Sequence, residues 1–232
     1  FKMLTKKDID FKMLTKKDIC VVIATYKRAE EVNKTLLSLI KYDNIPGKII
    51  IVDQSKDNKT KEITQKYKKK LNIEYVKIKL PSSSIAKNIG IKKAKKSFSI
   101  ILILDDDVDL LKDYMKEMLN EFNSDTKIMG IGGEDLNPLT QKICLDSFKV
   151  KLKNLVLKLF YLPYFEKNKF NITGPYGIVS GKLEKPIRDA QWLRGFCMGY
   201  RSKLFENYLC PESKGYNVLE DIDSSYYVYK KD

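Results

Sequence analysis

The sequence contains no histidine in 232 residues. That excludes Ser-His-Asp and Cys-His nucleophilic machinery, His-ligated zinc and an imidazole base, so proton transfer falls to carboxylates, Lys, Tyr or Cys. Cysteine is sparse. Cys20, Cys144, Cys197 and Cys210 form no CxxC pair and no metal-ligand spacing, and scattered cysteines of this kind read as reduced residues of a cytosolic protein. Long apolar runs are missing as well. Runs such as Cys20–Ala24 and Ile100–Leu104 fall far short of a bilayer span, and the N-terminus lacks the apolar segment of a secretory signal. Acidic residues are outnumbered: Lys+Arg 44 against Asp+Glu 30 leaves a net charge of +14, which raises nucleic acid, anionic membranes and phosphorylated substrates as partners.

What is present suits one sizeable α/β domain, because 43% apolar content over this length can build a core. The segment Phe1–Ile9 (FKMLTKKDI) recurs as Phe11–Ile19, a single repeat too short for a solenoid unit. Residues 1–18 are therefore set aside as a duplicated, peripheral segment. From Ile19 onward, buried strands alternate with helices. Ile19–Thr25, Lys48–Asp53, Ile73–Ile78 and Ser97–Leu104 are short, apolar and β-branched. Between them, Val32, Leu36, Leu39 and Ile40 recur at helical spacing, Asp57 or Thr60 is placed to cap a Lys-rich helix, and Ser82–Ser84 opens a third. A helix over Met115–Phe122, a strand near Lys127–Gly133, another over Leu193–Tyr200 and a helix around Leu219–Tyr229 follow, with 134–190 irregular. The pattern predicts a parallel or mixed sheet covered on both faces, with its ligand crevice beyond the carboxyl ends of the strands. Thr25, Asp53 and Asp105 each stand at such an end.

Asp105-Asp106-Asp107 directly follows a buried strand. Three adjacent carboxylates repel unless a cation or donor offsets them. Oxygen-only ligation suits magnesium or manganese, which bind through one or two carboxylates plus substrate phosphates. A solvated acidic turn or a helix cap is the alternative. Glu220-Asp221-Ile222-Asp223 forms a second acidic cluster, readable as the favourable first turn of a helix or as a general base facing the same crevice. Asp53 could bind a base or ribose, or close an Asx-turn. Lys87-Asn88-Ile89-Gly90 supplies a cation and a close-approach glycine, and alone is an ordinary helix segment.

In order, the chain reads CVVIATYKR, IIIVDQSKDN, SSSIAKNIGIKKA, SIILILDDDVD, LRGFCMGYRSKLFE and GYNVLEDIDSSYYVYKK. This succession resembles the family-2 glycosyltransferases of GT-A fold, over about residues 19–110 and again over 192–230. The resemblance implies a three-layer α/β/α sandwich with a mostly parallel mixed sheet. It would be a single domain over 19–232, with a nucleotide-sugar half at 19–110 and an acceptor half at 111–232. It implies an inverting transfer of sugar from a nucleotide-diphosphate sugar to an acceptor hydroxyl, assisted by Mn2+ or Mg2+, in cell-surface glycan or polysaccharide biosynthesis. Thr25, Tyr26 and Arg28 would line the nucleotide, Asp53 would hydrogen-bond its base, and Lys87 and Asn88 would add contacts. Asp105 and Asp107 match the ends of the family's DxD, reaching the ribose and the metal-diphosphate, with Asp106 an alternate ligand. Asp221 would be the base, supported by Glu220 and Asp223, while Gly195, Met198 and Arg201 match the segment beside the acceptor. Lys87 departs from the family's usual Arg, Gln54 replaces a frequent second Asp, and no QxxRW follows Asp223, which argues against a processive synthase.

The positive charge is concentrated. Residues 56–96 hold 14 Lys and three acids, residues 148–169 hold six Lys and one Glu, and the remainder sums to −2. The second stretch sets Leu152, Leu155, Val156, Leu159 and Phe160 on one helical stripe. It reads as a basic amphipathic helix on anionic lipid, which makes a lipid-linked acceptor and a cytoplasmic protein at the inner membrane face the expectation, or as a core-facing helix with a solvated Lys face. Two other classes compete: a nucleic-acid-binding protein, against which the Lys belt lacks Arg and stacking aromatics, and a metal-dependent nucleotidyltransferase, which leaves Asp221 and residues 195–201 unexplained.

Overall fold

The structure, a computed structural model, describes residues 13–79, 81–134, 152, 155–156, 169–171, 174–176, 190, 193–212 and 220–229. The first repeat copy, Cys144, Leu159 and Phe160 lie outside the described residues, as do the side chains of Glu220 and Asp221.

The first two strands have the bounds that their apolar runs suggest: β1 is Ile19–Thr25 and β2 is Lys48–Asp53. Helix α1 (Ala29–Lys41) buries Val32, Leu36 and Leu39, and α2 (Lys59–Tyr67) buries Ile63. Asn58, rather than Asp57 or Thr60, precedes α2 as its cap residue, while the Asp57 carboxylate accepts the Lys59 N–H at 3.0 Å. Strand β3 (Ile73–Lys77) follows, then α3 (Ser83–Ala94), whose first turn is capped by the Ser82 hydroxyl accepting the Ile85 N–H. Strand β4 (Ile100–Leu104) is shorter than its apolar run because residues 95–97 complete a turn. Helix α4 (Tyr114–Ser124), β5 (Gly130–Gly132), β6 (Lys169–Asn171), β7 (Gly174–Tyr176), β8 (Cys197–Arg201) and α5 (Glu220–Tyr229) complete the order.

Six strands form one mixed sheet in the order β3-β2-β1-β4-β8-β5, and β6 and β7 form a separate hairpin. β3, β2, β1 and β4 run parallel; β8 pairs antiparallel with both β4 and β5. Alternation along the central strands splits the core into two layers. Ile19, Val21, Ile23, Ile49, Ile51, Leu102 and Leu104 face α1, α2 and α4 with Met115, Met118 and Phe122. Cys20, Val22, Ile50, Val52, Ile101 and Ile103 face α3 with Ala86, Ile91, Tyr200 and Phe205. Three layers result, as the uninterrupted apolar strands require. Gly90 lets α3 sit directly on β1, since a Cβ there would lie 2.3 Å from Val22 Cγ1.

Residues 14–18, treated as peripheral in the sequence, are part of this packing. Leu14 exchanges both backbone hydrogen bonds with the Asn123 amide, at 2.8 and 3.0 Å. The carbonyls of Lys16 and Asp18 accept the N–H groups of Gly47 and Ser99. The second repeat copy therefore leads into β1 as structure.

Candidate active site

Pairing places Thr25 opposite Asp53, and aligns Val22 with Ile103, so the ends of β1, β2 and β4 open on one edge of the sheet. The acidic triplet emerges there. As the chain leaves the strand, its side chains diverge: Asp106 is buried, at 4% exposure, whereas the side chains of Asp105 and Asp107 are 42% and 45% exposed. Asp106 is fixed on every side. Its Oδ2 accepts the Thr25 hydroxyl at 2.6 Å, its Oδ1 lies 3.1 Å from Arg28 Nη1, and its backbone carbonyl accepts the Thr35 hydroxyl at 2.9 Å. Burial raises its pKa above the ordinary carboxylate range, an effect that Thr25 and Arg28 oppose. Arg28 also donates from Nη2 to Asp107 Oδ2 at 2.6 Å. Lys87, buried on α3, stands 3.9 Å from Asp105 Oδ1.

The turn that delivers Arg28 is shaped by one unusual residue. Lys27 has a left-handed φ of 57°, and its N–H donates to Ser55 Oγ at 2.7 Å. Beside it Tyr26 is 40% exposed, with the Lys27 ammonium 5.1 Å from its ring centre. Gln54 ties the neighbouring ends together: its amide donates to the Thr25 carbonyl at 3.4 Å and its oxygen accepts the Ser82 N–H at the start of α3.

Asp53 is enclosed. None of its surface is exposed; Oδ1 accepts the Ser55 N–H at 2.8 Å, and Oδ2 accepts the Tyr75 hydroxyl at 2.6 Å and faces Lys77 at 3.3 Å. The Asx-turn is realised, and a nucleobase reaches this carboxylate only if its shell opens. Burial and Asp53 together raise the Tyr75 pKa.

Thr25, Arg28, Lys87, Asp105, Asp106 and Asp107 therefore come together, with Tyr26 at the rim. Other candidates do not join them. Asn88 donates to the Cys210 carbonyl at 2.8 Å and accepts the Cys210 N–H at 2.9 Å, fastening α3 to the segment before α5. Met198, opposite Ile103 where β8 pairs with β4, is buried in the core layer that faces α3. Arg201 donates to the carbonyls of Ile128, Phe122 and Asp125, closing the C-terminal end of α4. Gly195 lies in the turn before β8. Asp221 stands in the first turn of α5, and Asp223 accepts the Tyr208 hydroxyl at 2.9 Å. Burial pushes the thiols of Cys20 and Cys197 up to about 12, which disfavours thiolate chemistry at both positions.

Thr35, Ser55 and Tyr75 were not singled out as site residues in the sequence, and Gln54 stood out only as a departure from the family's frequent second Asp. Gln54 and Ser55 follow a strand end, which is a usable signal; Thr35 and Tyr75 carry none, since only tertiary contact brings them to Asp106 and Asp53.

The sequence model of Glycosyl transferase family 2 matches residues 20–177, more than half of the chain. The chain belongs to this family. Among its relatives are the poly(ribitol-phosphate) beta-N-acetylglucosaminyltransferase TarS of Staphylococcus aureus, 28% identical over 49% of this chain and 21% of TarS, and the chondroitin synthase of Pasteurella multocida, 30% identical over 48% of this chain and 12% of that enzyme. The family-2 chain thus spans only about a fifth of TarS and less of the synthase. Residues 1–349 of TarS superpose with a TM-score of 0.57 at 19% identity, covering 91% of this chain and 55% of that one. A Pyrobaculum calidifontis mannosyltransferase, solved with GDP-Man and Mn2+, superposes at 0.51 and 14% identity over 84% of this chain and 47% of that one. The fold is that of the GT-A glycosyltransferases.

Proposed function

We propose that this family-2 domain is an inverting glycosyltransferase that moves a sugar from a nucleotide-diphosphate sugar to an acceptor hydroxyl in glycan or polysaccharide biosynthesis. The observation that carries the reading is the exposed pair Asp105 and Asp107, flanking a locked Asp106 at the joined ends of β1, β2 and β4. Two solvent-facing carboxylates fit Mn2+ or Mg2+, which take oxygen ligands and complete their shell with water and substrate phosphate. Among the described residues no three metal-ligating side chains gather; Asp105 and Asp107 would hold the ion together with substrate oxygens. The ion would supply Lewis-acid stabilisation of the diphosphate leaving group.

The chain's own residues do the rest. Thr25, Tyr26 and Arg28 line the nucleotide, and Lys87 on α3 faces the charge that develops on the diphosphate. Asp53 meets the base after its Tyr75 and Lys77 contacts part. Asp221, in the first turn of α5, takes the proton from the acceptor hydroxyl; the helix is braced by Tyr208 on Asp223. With no histidine in the chain, a carboxylate is the base this reading assigns to the step. TarS has been solved with UDP-GlcNAc and with UDP, which makes UDP sugars the first donors to try, with GDP-Man second.

The acceptor side includes a membrane contact. Leu152, Leu155 and Val156 are helical and exposed at 51%, 56% and 46%, within a Lys-rich stretch suited to anionic lipid at the inner membrane face and to a lipid-linked acceptor. No helix among the described residues is long and apolar enough to cross a membrane.

The test is a melting-temperature titration with UDP, GDP and Mn2+, followed by hydrolysis of a nucleotide-sugar panel. At about a hundredfold excess over Kd the ligand adds ~2.7 kcal/mol, a rise of roughly 5–10 °C for a chain of this size. The rise should require Mn2+ or Mg2+ and disappear in Asp107→Ala. Asp221→Asn should keep it while lowering kcat by about 10²–10⁴. Stabilisation by single-stranded RNA above any nucleotide diphosphate would overturn the reading.

A further inference from the structure

Arg28 holds two carboxylates that the triplet sends in different directions. Nη1 lies 3.1 Å from Oδ1 of buried Asp106, and Nη2 donates to Oδ2 of exposed Asp107 at 2.6 Å. The Arg28 side chain is 47% exposed, so it is anchored at one end and open to the crevice at the other. Its position is built. The left-handed Lys27 turn is held by Ser55, the Thr25 hydroxyl occupies the other oxygen of Asp106, and Thr35 holds the Asp106 carbonyl. None of these contacts extends to Asp107, which meets the crevice with Arg28 on one oxygen.

We propose that Arg28 is a resident counter-cation for the metal site: it ties down Asp107 until a nucleotide diphosphate brings a divalent ion, yields Asp107 to that ion, and remains on Asp106 as a second positive group facing the diphosphate. The inference rests on the donor-and-metal reading above. Its physical basis is competition. A guanidinium at 2.6 Å from Asp107 occupies an oxygen that a metal would use, and two cations sharing one carboxylate repel. The diphosphate relieves that conflict because it supplies anionic oxygens for both. Free metal therefore binds weakly, and metal and nucleotide strengthen each other by the same factor.

Removing Arg28 should act on the two ligands with opposite sign, which a structural role for Arg28 would not produce. The experiment measures Mn2+ binding by the loss of its free-ion paramagnetic resonance signal, with and without UDP or GDP. It uses the wild-type chain, Arg28→Gln and Arg28→Lys. Relative to wild type, Arg28→Gln should bind Mn2+ alone about tenfold tighter, the scale of one charge-assisted hydrogen bond, and bind the nucleotide at saturating Mn2+ about tenfold more weakly. Arg28→Lys, which keeps the charge but cannot bridge as a fork, should fall between them on both scales. If Arg28→Gln does not melt cooperatively, Arg28→Lys carries the test with the same signs. Joint binding of metal and nucleotide in wild type, with no gain in Mn2+ affinity in the variants, overturns the role of Arg28 alone. Absence of joint binding in wild type overturns the site reading itself.

Discussion

Asp105, Asp106 and Asp107 are neighbours in the chain, yet they meet different surroundings. Asp106 is buried against Thr25 and Arg28, while its neighbours face the crevice. Its contribution is structural and that of Asp107 is not, which separates their variants. Asp106→Asn should cost about 1–3 kcal/mol, since a buried acceptor for charged and hydroxyl donors is weakened. Asp107→Asn should stay within about 1 kcal/mol, as removal of an exposed ion pair does. Urea unfolding of both variants checks this; equal losses would contradict the placement of Asp106. Glu74 sets the acid behaviour of the β3 edge. Hydrogen bonds from Lys48 and then Lys93 hold its pKa below the ordinary carboxylate range. A depressed folded-state pKa contributes stability above the unfolded value and loses it as pH falls through the folded one. The stability gap between wild type and Glu74→Gln should therefore be present above about pH 5 and shrink below about pH 4. Chemical melts at several pH values would show it.

At the scale of elements, α3 links the two halves. One residue of it, Lys87, faces Asp105; the next, Asn88, fastens the backbone of Cys210; and Gly90 brings the helix onto β1. The sequence supplied these residues as a group, but their division of labour follows from the 3.6-residue period, which points consecutive side chains in different directions. Gly90→Ala should cost about 1–3 kcal/mol by overpacking against Val22. Asn88→Ala should leave the Cys210 N–H and carbonyl without their partner, costing about 2–4 kcal/mol, and should speed amide exchange in residues 208–212 before it does so in β1. Exchange that changes equally everywhere would count against Asn88 as a local fastening. Met198 and Arg201 show the limit of motif order. The LRGFCMGYRSK segment resembles the family's, yet as β8 it alternates its side chains between faces, so Met198 enters the core and Arg201 reaches the end of α4.

At the scale of the molecule, positive charge and exposed apolar side chains coincide near residues 148–169, where six Lys accompany Leu152, Leu155 and Val156. Flotation with anionic vesicles at low salt should recover the protein, and neutral vesicles should not. Leu155→Glu should reduce recovery several-fold, because it places a carboxylate on the stripe proposed to face lipid. Recovery independent of lipid charge would remove the membrane contact. The same distribution weakens the nucleic-acid alternative, since the other Lys-rich stretch spreads over α2, β3 and α3.

The sequence by itself determined the buried strands, their order of appearance and the acidic triplet at a strand end. Continuous apolar runs can only be buried on both faces, and a strand that ends in three carboxylates must leave the core there. The family likeness was also legible, because six short motifs keep their order along the chain. Only the tertiary structure decided which carboxylate is held and which is offered. Arg28 and Thr25 lie about eighty residues before the triplet, and their meeting depends on β1 pairing with β4 in one register. Asp53, legible as a ligand at a strand end, is enclosed for the same reason: β3 brings Tyr75 and Lys77 alongside it. Strand pairing is a long-range choice, and local residue pattern carries little of it.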